Sequence, residues 1–283
     1  MRRSFVLLAA DDERRHANRL GSIALVGQPN RFGYFFYRFL LAHDNISFHQ
    51  FWELAGNKLK LPGDRLCLNL PEYSTRRRSF EHDNHYGFSV FPGLRHKEGW
   101  VGCGMSYKLM IMLARQQKLS CVTICEDDVE FRNGFAEDYA AVLQELGTRR
   151  ERWDAFSGLL GDLHANATIT CVNDFRGRKF VDINRLISTV FNVYHRRIFD
   201  RCALWDERNR DVEKNTIDRY LERNHLSVVA CCPFLVGHKN ELHSTLWGVQ
   251  NDSMEAMIKR SEERLAQKID EFIARDSALE IAT

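Results

Sequence analysis

Short apolar runs bounded by polar turns alternate along this chain with longer stretches in which apolar residues recur every three or four positions. The short runs have the length and the β-branched content of strands, whereas the longer stretches have helical periodicity. The runs that we predict as strands cover residues 4–10, 23–27, 66–70, 121–125, 168–172 and 179–183. Alternation of the two patterns predicts an α/β fold.

Three stretches show helical periodicity most clearly: an aromatic one at 31–43, one at 105–118 that follows a glycine-rich turn at 99–104, and a tail at 253–279. The tail is amphipathic, but acidic and basic residues are mixed on its polar face, so we expect it to pack on its own domain rather than on a membrane or a second subunit. We divide the chain into an N-terminal α/β segment of unknown role at 1–64, a main domain at 65–250 and a C-terminal helix at 251–283.

The charge balance excludes one class of partner. The 283 residues include 40 basic and 38 acidic side chains, a net charge of +2, so no nucleic-acid partner is expected.

Eight cysteines show no C-x-x-C spacing and two of them flank a predicted strand, which indicates reduced thiols and a cytoplasmic setting. The basic and apolar opening resembles a signal peptide but lacks its cleavage site, and no apolar run is long enough to span a bilayer, so membrane contact is expected only peripherally, at its inner face.

An acidic motif, Glu126-Asp127-Asp128, follows the predicted strand at 121–125. Ligands of open α/β sheets bind at the carboxyl ends of strands, and neighbouring carboxylates repel one another unless a cation lies between them. Oxygen ligands favour Mn²⁺ or Mg²⁺, which commonly keep positions open for phosphates. The motif therefore predicts a metal-bound nucleotide, although capping of a following helix is an equal alternative at this point.

A basic run, Arg76-Arg77-Arg78, begins the helix expected after the strand at 66–70. Guanidinium groups match phosphate oxygens, so this run could neutralise a diphosphate, but it could equally form a solvated helix face. The glycine-bearing turn at 27–33 follows a predicted strand yet matches no established phosphate-binding pattern.

Three motifs in order carry a family resemblance. They are Cys67-Leu68-Asn69-Leu70 followed by Arg76, then Gly102-Cys103-Gly104-Met105-Ser106, then Glu126-Asp127-Asp128-Val129. Over residues 65–250 the chain resembles the family 25 glycosyltransferases, the lipooligosaccharide and collagen-type galactosyltransferase group. Tyr107 is a departure, since it stands where the family usually has histidine.

The resemblance implies a GT-A-like nucleotide-binding fold with a mixed, mainly parallel sheet flanked by helices. It implies Mn²⁺ or Mg²⁺ held against the diphosphate of a nucleotide-sugar donor. The residues that it assigns to donor binding are Asn69, Arg76, Ser106, Glu126 and Asp127. The metal ligands would be Asp128, Glu126 and a C-terminal histidine, for which we prefer His243 to His238.

The implied reaction is the inverting transfer of a hexose, galactose from its uridine diphosphate, to a glycan or glycolipid acceptor such as lipopolysaccharide. An acid is needed to take the proton of the acceptor hydroxyl. Asp218 matches the family position for that base, and Asp162 is the rival. The alternative for Asp218 is a plain helix cap.

Two other classes of function share these residues. A metal-dependent nucleotidyltransferase or phosphohydrolase would use the same acids on a phosphate. A non-catalytic glycan-binding module would use them for a structural ion.

Overall fold

The computed structural model describes residues 31–149, 152–240, 242 and 252–281. The predicted strands at 4–10 and 23–27, most of the glycine-bearing turn at 27–33 and the candidate ligand His243 lie outside the described residues.

Helices and strands alternate along the chain, as the sequence pattern predicts. The N-terminal half contains α1 (Arg31–Ala42), α2 (Phe48–Leu54), β1 (Arg65–Asn69), α3 (Ser74–Asp83), β2 (Ser89–Pro92), α4 (Gly99–Gln116), β3 (Cys121–Glu126), β4 (Val129–Phe131) and α5 (Phe135–Thr148). The C-terminal half contains β5 (Ala155–Ser157), β6 (Ile169–Phe175), β7 (Arg178–Ile183), β8 (Phe191–His195), α6 (Phe199–Ala203), α7 (Val212–Asn215), α8 (Ile217–Glu222), β9 (Val228–Cys232), β10 (Val236–His238) and α9 (Asp252–Ile281).

A large mixed sheet organises the molecule. Its eight strands lie in the order β2-β1-β3-β8-β5-β9-β7-β6, and β4 pairs with β10 in a small second sheet. Strands β1, β2 and β3 are parallel to one another, β5 is parallel to β9, and β8 and β7 run antiparallel to their neighbours. Six of the eight strands therefore point the same way, and the expectation of a mixed α/β sheet flanked by helices is confirmed.

The core follows from the apolar content of the central strands and of the helices packed on them. Most side chains of β3 and of α4 are buried, and α9 contributes Ile258, Leu265 and Ile269 to the same cluster. The predicted tail helix is thus present and packs on its own chain. All eight cysteines are free thiols. Among the described helices, none combines the length and the apolar character needed to cross a membrane.

Residues 31–64 are attached to the loop that follows β2. The hydroxyl of Tyr34 donates to the carbonyl of Pro92, and Arg38 Nε donates to the carbonyl oxygen of Gly93 at 2.7 Å. The buried Arg38 guanidinium also forms a two-pronged ion pair with Glu72, at 2.7 and 2.8 Å. Two hydrogen bonds and a buried ion pair fix α1 against this loop.

The glycine-rich turn expected at 99–104 is wrong, because these residues form the first turns of α4. Close packing explains the glycines. A Cβ on Gly102 would lie 3.0 Å from the backbone of His96 and Leu94, and one on Gly104 would overlap the ring of Trp205. The first contact is to the loop before α4, and the second is to a residue about one hundred positions later in the chain. The glycines therefore permit close packing of α4 on these segments and do not form a turn.

Candidate functional site

The acidic motif lies at the carboxyl end of β3, where it surrounds a buried arginine from α3. Arg76 Nε donates to Asp127 Oδ1 at 2.8 Å, and Arg76 Nη2 donates to Asp128 Oδ2 at 2.7 Å. The side-chain amide of Asn69, at the end of β1, donates to the other oxygen of Asp127. The cation that the sequence required between these acids is thus a guanidinium. Arg76, expected to contact a donor phosphate, is engaged by the two aspartates.

A histidine from the small sheet completes this cluster. His238 Nε2 lies 3.3 Å from Asp128 Oδ2 because β10 pairs with β4, directly after the acidic motif. Burial alone would raise the pKa of Asp128, but the hydrogen bond from His238 and the charge of Arg76 hold it well below its ordinary range. Burial would lower the pKa of His238, and the contact with Asp128 outweighs burial and raises it.

Glu126 behaves differently from Asp128. Burial, with the nearby negative charge of Asp128, raises the pKa of Glu126 to about 7. Burial likewise raises the pKa of Asp127, despite its contact with Arg76. The motif therefore holds one carboxylate that is firmly ionised, Asp128, and one that changes protonation near neutral pH, Glu126.

Two adjacent cavities meet at this cluster, and Glu126 and Cys103 line both of them. We call the first, of about 250 Å³, the basic cavity, because its wall includes Arg76, Arg95, His96 and Lys97. We call the second, of about 400 Å³, the acidic cavity, because the described residues of its wall include the acids Glu126, Asp128, Asp162, Glu213 and Asp218 and the basic residues Arg219 and His238. Asp127 lines the basic cavity and Asp128 the acidic one, in line with the alternation predicted for an extended strand.

The basic cavity combines cations with an apolar floor. Leu68 and Leu94 line it, and so do Gly99 and Gly102 from the first turn of α4. The positive end of a helix dipole favours anions at this position. Asp44 holds the loop that carries Arg95, His96 and Lys97. Its carboxylate lies 3.0 Å from His96 Nε2 and 2.6 Å from Lys97 Nζ.

Sequence reasoning missed the basic loop of the cavity, Arg95-His96-Lys97. The sequence signal for this loop is a run of three basic residues soon after β2. Strand β2 ends at the same edge of the sheet as Asn69.

Both candidate bases lie in the acidic cavity. Asp218, in the first turn of α8, is half-buried, and its carboxylate accepts the backbone N–H of Arg219 at 2.9 Å. Burial raises the pKa of Asp218 above its ordinary value. Asp162 is more open, with 47% of its side chain exposed, and lies 3.7 Å from His164 Nε2.

Ser106 and Tyr107 support the site from within α4. The Ser106 hydroxyl donates to the carbonyl of Gly102 at 2.7 Å and accepts the N–H of Leu94 at 2.8 Å, so it ties the basic loop to the helix. Although Ser106 borders the basic cavity, it is almost fully buried. Tyr107 donates to the carbonyl of Thr189 at 2.7 Å, and the side chain of Thr189 hydrogen-bonds Glu126.

The side chains around Asp128 include donor atoms that could bind a divalent cation. Within the described ranges, no three His, Cys, Asp or Glu side chains form a ready metal-binding group. Asp128 and His238 nevertheless place a carboxylate oxygen and an imidazole nitrogen side by side, and Glu126 lines the same cavity. The carboxylate oxygens fit Mn²⁺ or Mg²⁺, and Asp128 and His238 are the pair that would hold the ion.

Comparisons with known proteins give little beyond this geometry. No family model and no curated protein matches the chain. Among solved structures, the crystal structure of A197 from STIV is similar over 62% of this chain and 85% of that chain, with 10% identity and a TM-score of 0.33. A similarity this slight bears on neither fold nor activity.

Proposed function

We propose that this protein is a metal-dependent glycosyltransferase with a GT-A-like fold, which transfers a hexose from a nucleoside diphosphate sugar to the hydroxyl of a glycan. The observation that carries the proposal is the junction of two cavities of opposite charge at the carboxyl end of β3. Transfer between a phosphorylated donor and a hydroxyl acceptor needs such a pair of neighbouring sites, one for an anion and one for a neutral nucleophile.

The donor fits the basic cavity. Leu68 and Leu94 would contact the nucleoside, and Arg95, Lys97 and the first turn of α4 would bind the diphosphate. Uridine diphosphate galactose is the donor implied by the motif resemblance. The transferred sugar would then lie beside Glu126 and Cys103, which border both cavities.

The acceptor hydroxyl fits the acidic cavity, where Asp218 would act as the general base. Asp218 would take the hydroxyl proton while that oxygen attacks the anomeric carbon from the face opposite the nucleotide. The bond between the anomeric carbon and the phosphate oxygen breaks in the same step, which inverts the configuration. Burial raises the pKa of Asp218 toward the operating pH, as base catalysis requires.

Asp128 and His238 are the residues that would hold a divalent cation. When bound there, the cation would offset the negative charge that develops on the departing nucleoside diphosphate. Arg76 keeps Asp128 ionised and oriented for that role, and Asn69 orients Asp127.

Thermal unfolding against a panel of nucleoside diphosphates and their sugars, each with Mn²⁺ or with EDTA, tests the donor site. A ligand at one hundred times its dissociation constant stabilises the native state by about 2.7 kcal/mol, a shift of several degrees in Tm. We expect one nucleotide to stabilise the protein in Mn²⁺ and not in EDTA. The Asp128→Asn variant should lose this shift.

Asp182→Asn is the matched control, because Asp182 also pairs with a buried arginine, Arg149, yet borders neither cavity. The control should keep the shift. Absence of any metal-dependent shift with the whole panel would contradict the proposal. Mass spectrometry of mixtures that contain the stabilising donor and candidate glycans then identifies the product.

A further inference from the structure

The acidic cavity has a second property beyond its acids: one of its walls is apolar and comes from the C-terminal helix. Met254, Met257 and Ile258 of α9 line the cavity opposite the acidic residues. Further apolar lining comes from Trp100, Leu159, Ile187 and Ile217. A hydroxyl-bearing ligand in this cavity therefore meets carboxylates on one side and an apolar surface on the other.

The apolar wall is held in place one turn further along α9. Ser261 Oγ accepts the N–H of Leu163 at 3.1 Å, and Glu262 forms an ion pair with Arg132 at 2.8 Å. Ile258 is itself buried, with 9% of its surface exposed. Because these contacts fix the helix, Met254 and Met257 are held in place as part of the cavity wall. Methionine side chains adapt readily to apolar ligands of varied shape.

The charge of the cavity selects against anions. Glu213 pairs with Arg219, and Asp128 pairs with His238 and Arg76. In the described part of the chain, Glu126 and Asp218 take part in no ion pair, and Asp162 contacts only a histidine at 3.7 Å. A carboxylate or phosphate on the acceptor would meet these three acids, whereas the cations of the wall, Arg219 and His238, are already paired with Glu213 and Asp128. Like charges in a partly buried site repel.

One buried polar atom of a residue on the wall of the cavity also needs a partner. His238 is buried, and its Nδ1 forms no hydrogen bond with any described residue. A buried ring nitrogen ordinarily has a partner. A hydroxyl group or a ring oxygen of a sugar would provide one.

We propose that the acceptor is an uncharged sugar that carries an apolar substituent, and that α9 binds this substituent through Met254, Met257 and Ile258. The inference rests on the proposed function, because it assigns the acceptor of that reaction. It departs from the expectation of lipopolysaccharide as the acceptor, because lipopolysaccharide is anionic. The sugar hydroxyl would face Asp218, and the apolar substituent would lie along the helix.

The test compares matched acceptors in the presence of the donor that stabilises the protein. Octyl and methyl glycosides of glucose, galactose and mannose are supplied below micelle-forming concentrations, beside octyl glucuronide and octyl galacturonide. For the accepted hexose, we expect kcat/KM of the octyl glycoside to exceed that of the methyl glycoside by ~10-fold, since each buried methylene adds affinity. The uronides should react at least ~10-fold more slowly than their neutral counterparts.

Binding supplies a readout that does not depend on turnover. Trp100 lines the cavity, so a neutral octyl glycoside should change the tryptophan fluorescence, and Trp100→Phe should remove that change. If no neutral octyl glycoside binds, or if the uronides bind and react as well as the neutral sugars, the inference is wrong. Metal-dependent donor stabilisation in that case would leave the proposed function intact, whereas its absence would mean that the proposed function itself has failed.

A matched pair of helix variants locates the apolar contact. Met254→Ser should reduce the ratio of octyl to methyl glycoside kcat/KM by several-fold, because Met254 faces the cavity. Ala256→Ser, at an exposed position two residues away on the same helix, should leave the ratio as in the wild type. Equal ratios in the wild type and in both variants would exclude α9 as the surface that binds the substituent.

Discussion

The two cavities share Glu126 and Cys103 but differ in almost every other respect. The basic cavity has cations from one loop and from α3, beside the first turn of a long helix, whereas the acidic cavity has acids from four segments and an apolar wall. A single strand end, that of β3, supplies the boundary between them. Opposite electrostatic environments can thus lie side by side when a buried arginine and a histidine stabilise two of the boundary acids.

The largest expected effect lies in the acidic cavity. Asp218→Asn should lower kcat by ~10²–10⁴-fold, the usual contribution of a general base, because the amide cannot accept the hydroxyl proton. Donor affinity, measured calorimetrically, should stay within about twofold of the wild type, since Asp218 does not line the basic cavity. Asp162→Asn is the control in the same cavity. If it lowers kcat more than Asp218→Asn does, Asp162 is the base.

The second effect compares two buried arginines, each of which pairs with two carboxylates. Arg76 lies between the cavities with Asp127 and Asp128, whereas Arg149 joins Glu145 of α5 to Asp182 of β7, away from both cavities. Arg76→Met should cost ~3–5 kcal/mol of unfolding free energy, because it leaves two buried carboxylates without their cation. Arg149→Met should cost less, since 38% of the Asp182 side chain is exposed. Urea unfolding measures both values.

The same pair of variants separates stability from ligand binding. At a temperature where both variants are folded, only Arg76→Met should weaken metal-dependent nucleotide binding, because Arg76 orients Asp128. Equal affinity of the two variants would mean that the cluster at the end of β3 is a structural network only.

The third effect is the pH dependence that Glu126 imposes on stability. Its pKa rises from 4.5 when unfolded to about 7 when folded, so the native state binds more protons between these values and stability falls as pH rises through that window. The loss amounts to at most about 3 kcal/mol. Glu126→Gln should remove this loss. The unfolding free energy of the variant minus that of the wild type should therefore be larger at pH 8 than at pH 5. Urea unfolding in EDTA measures the difference, and a gain that is the same at both pH values would contradict the shift.

Local pattern predicted the parts of the site that are local in sequence. The strand at 121–125 and the acids after it lie where the alternation placed them. The tail helix was also predicted from its periodicity, and it exists as α9. Each of these inferences depends on spacing within a single segment.

Long-range contacts account for what the sequence did not reveal. Arg76 is 52 residues from Asp128, and its choice of partner depends on how α3 packs beside β3. His238 reaches Asp128 only because β10 pairs with β4, which no local pattern indicates. The glycine at 104 suggests a turn because the ring of Trp205, which it accommodates, is about one hundred residues away. Packing between distant segments decided each of these points.

The smallest expected effect concerns the basic cavity. Arg95→Ala should weaken nucleotide diphosphate binding by about three- to tenfold and leave kcat nearly unchanged, since an exposed cation contributes roughly 1 kcal/mol to an anion contact. The Arg95 side chain is 59% exposed, so the effect should shrink as salt is raised. Arg115→Ala, which removes a cation of similar exposure from the other end of α4, is the matched control and should bind as the wild type does. Titration calorimetry at two salt concentrations measures these affinities. Equal affinity of Arg95→Ala and Arg115→Ala would mean that the diphosphate does not bind at the basic loop. The acidic motif would then be the feature that still separates the two cavities.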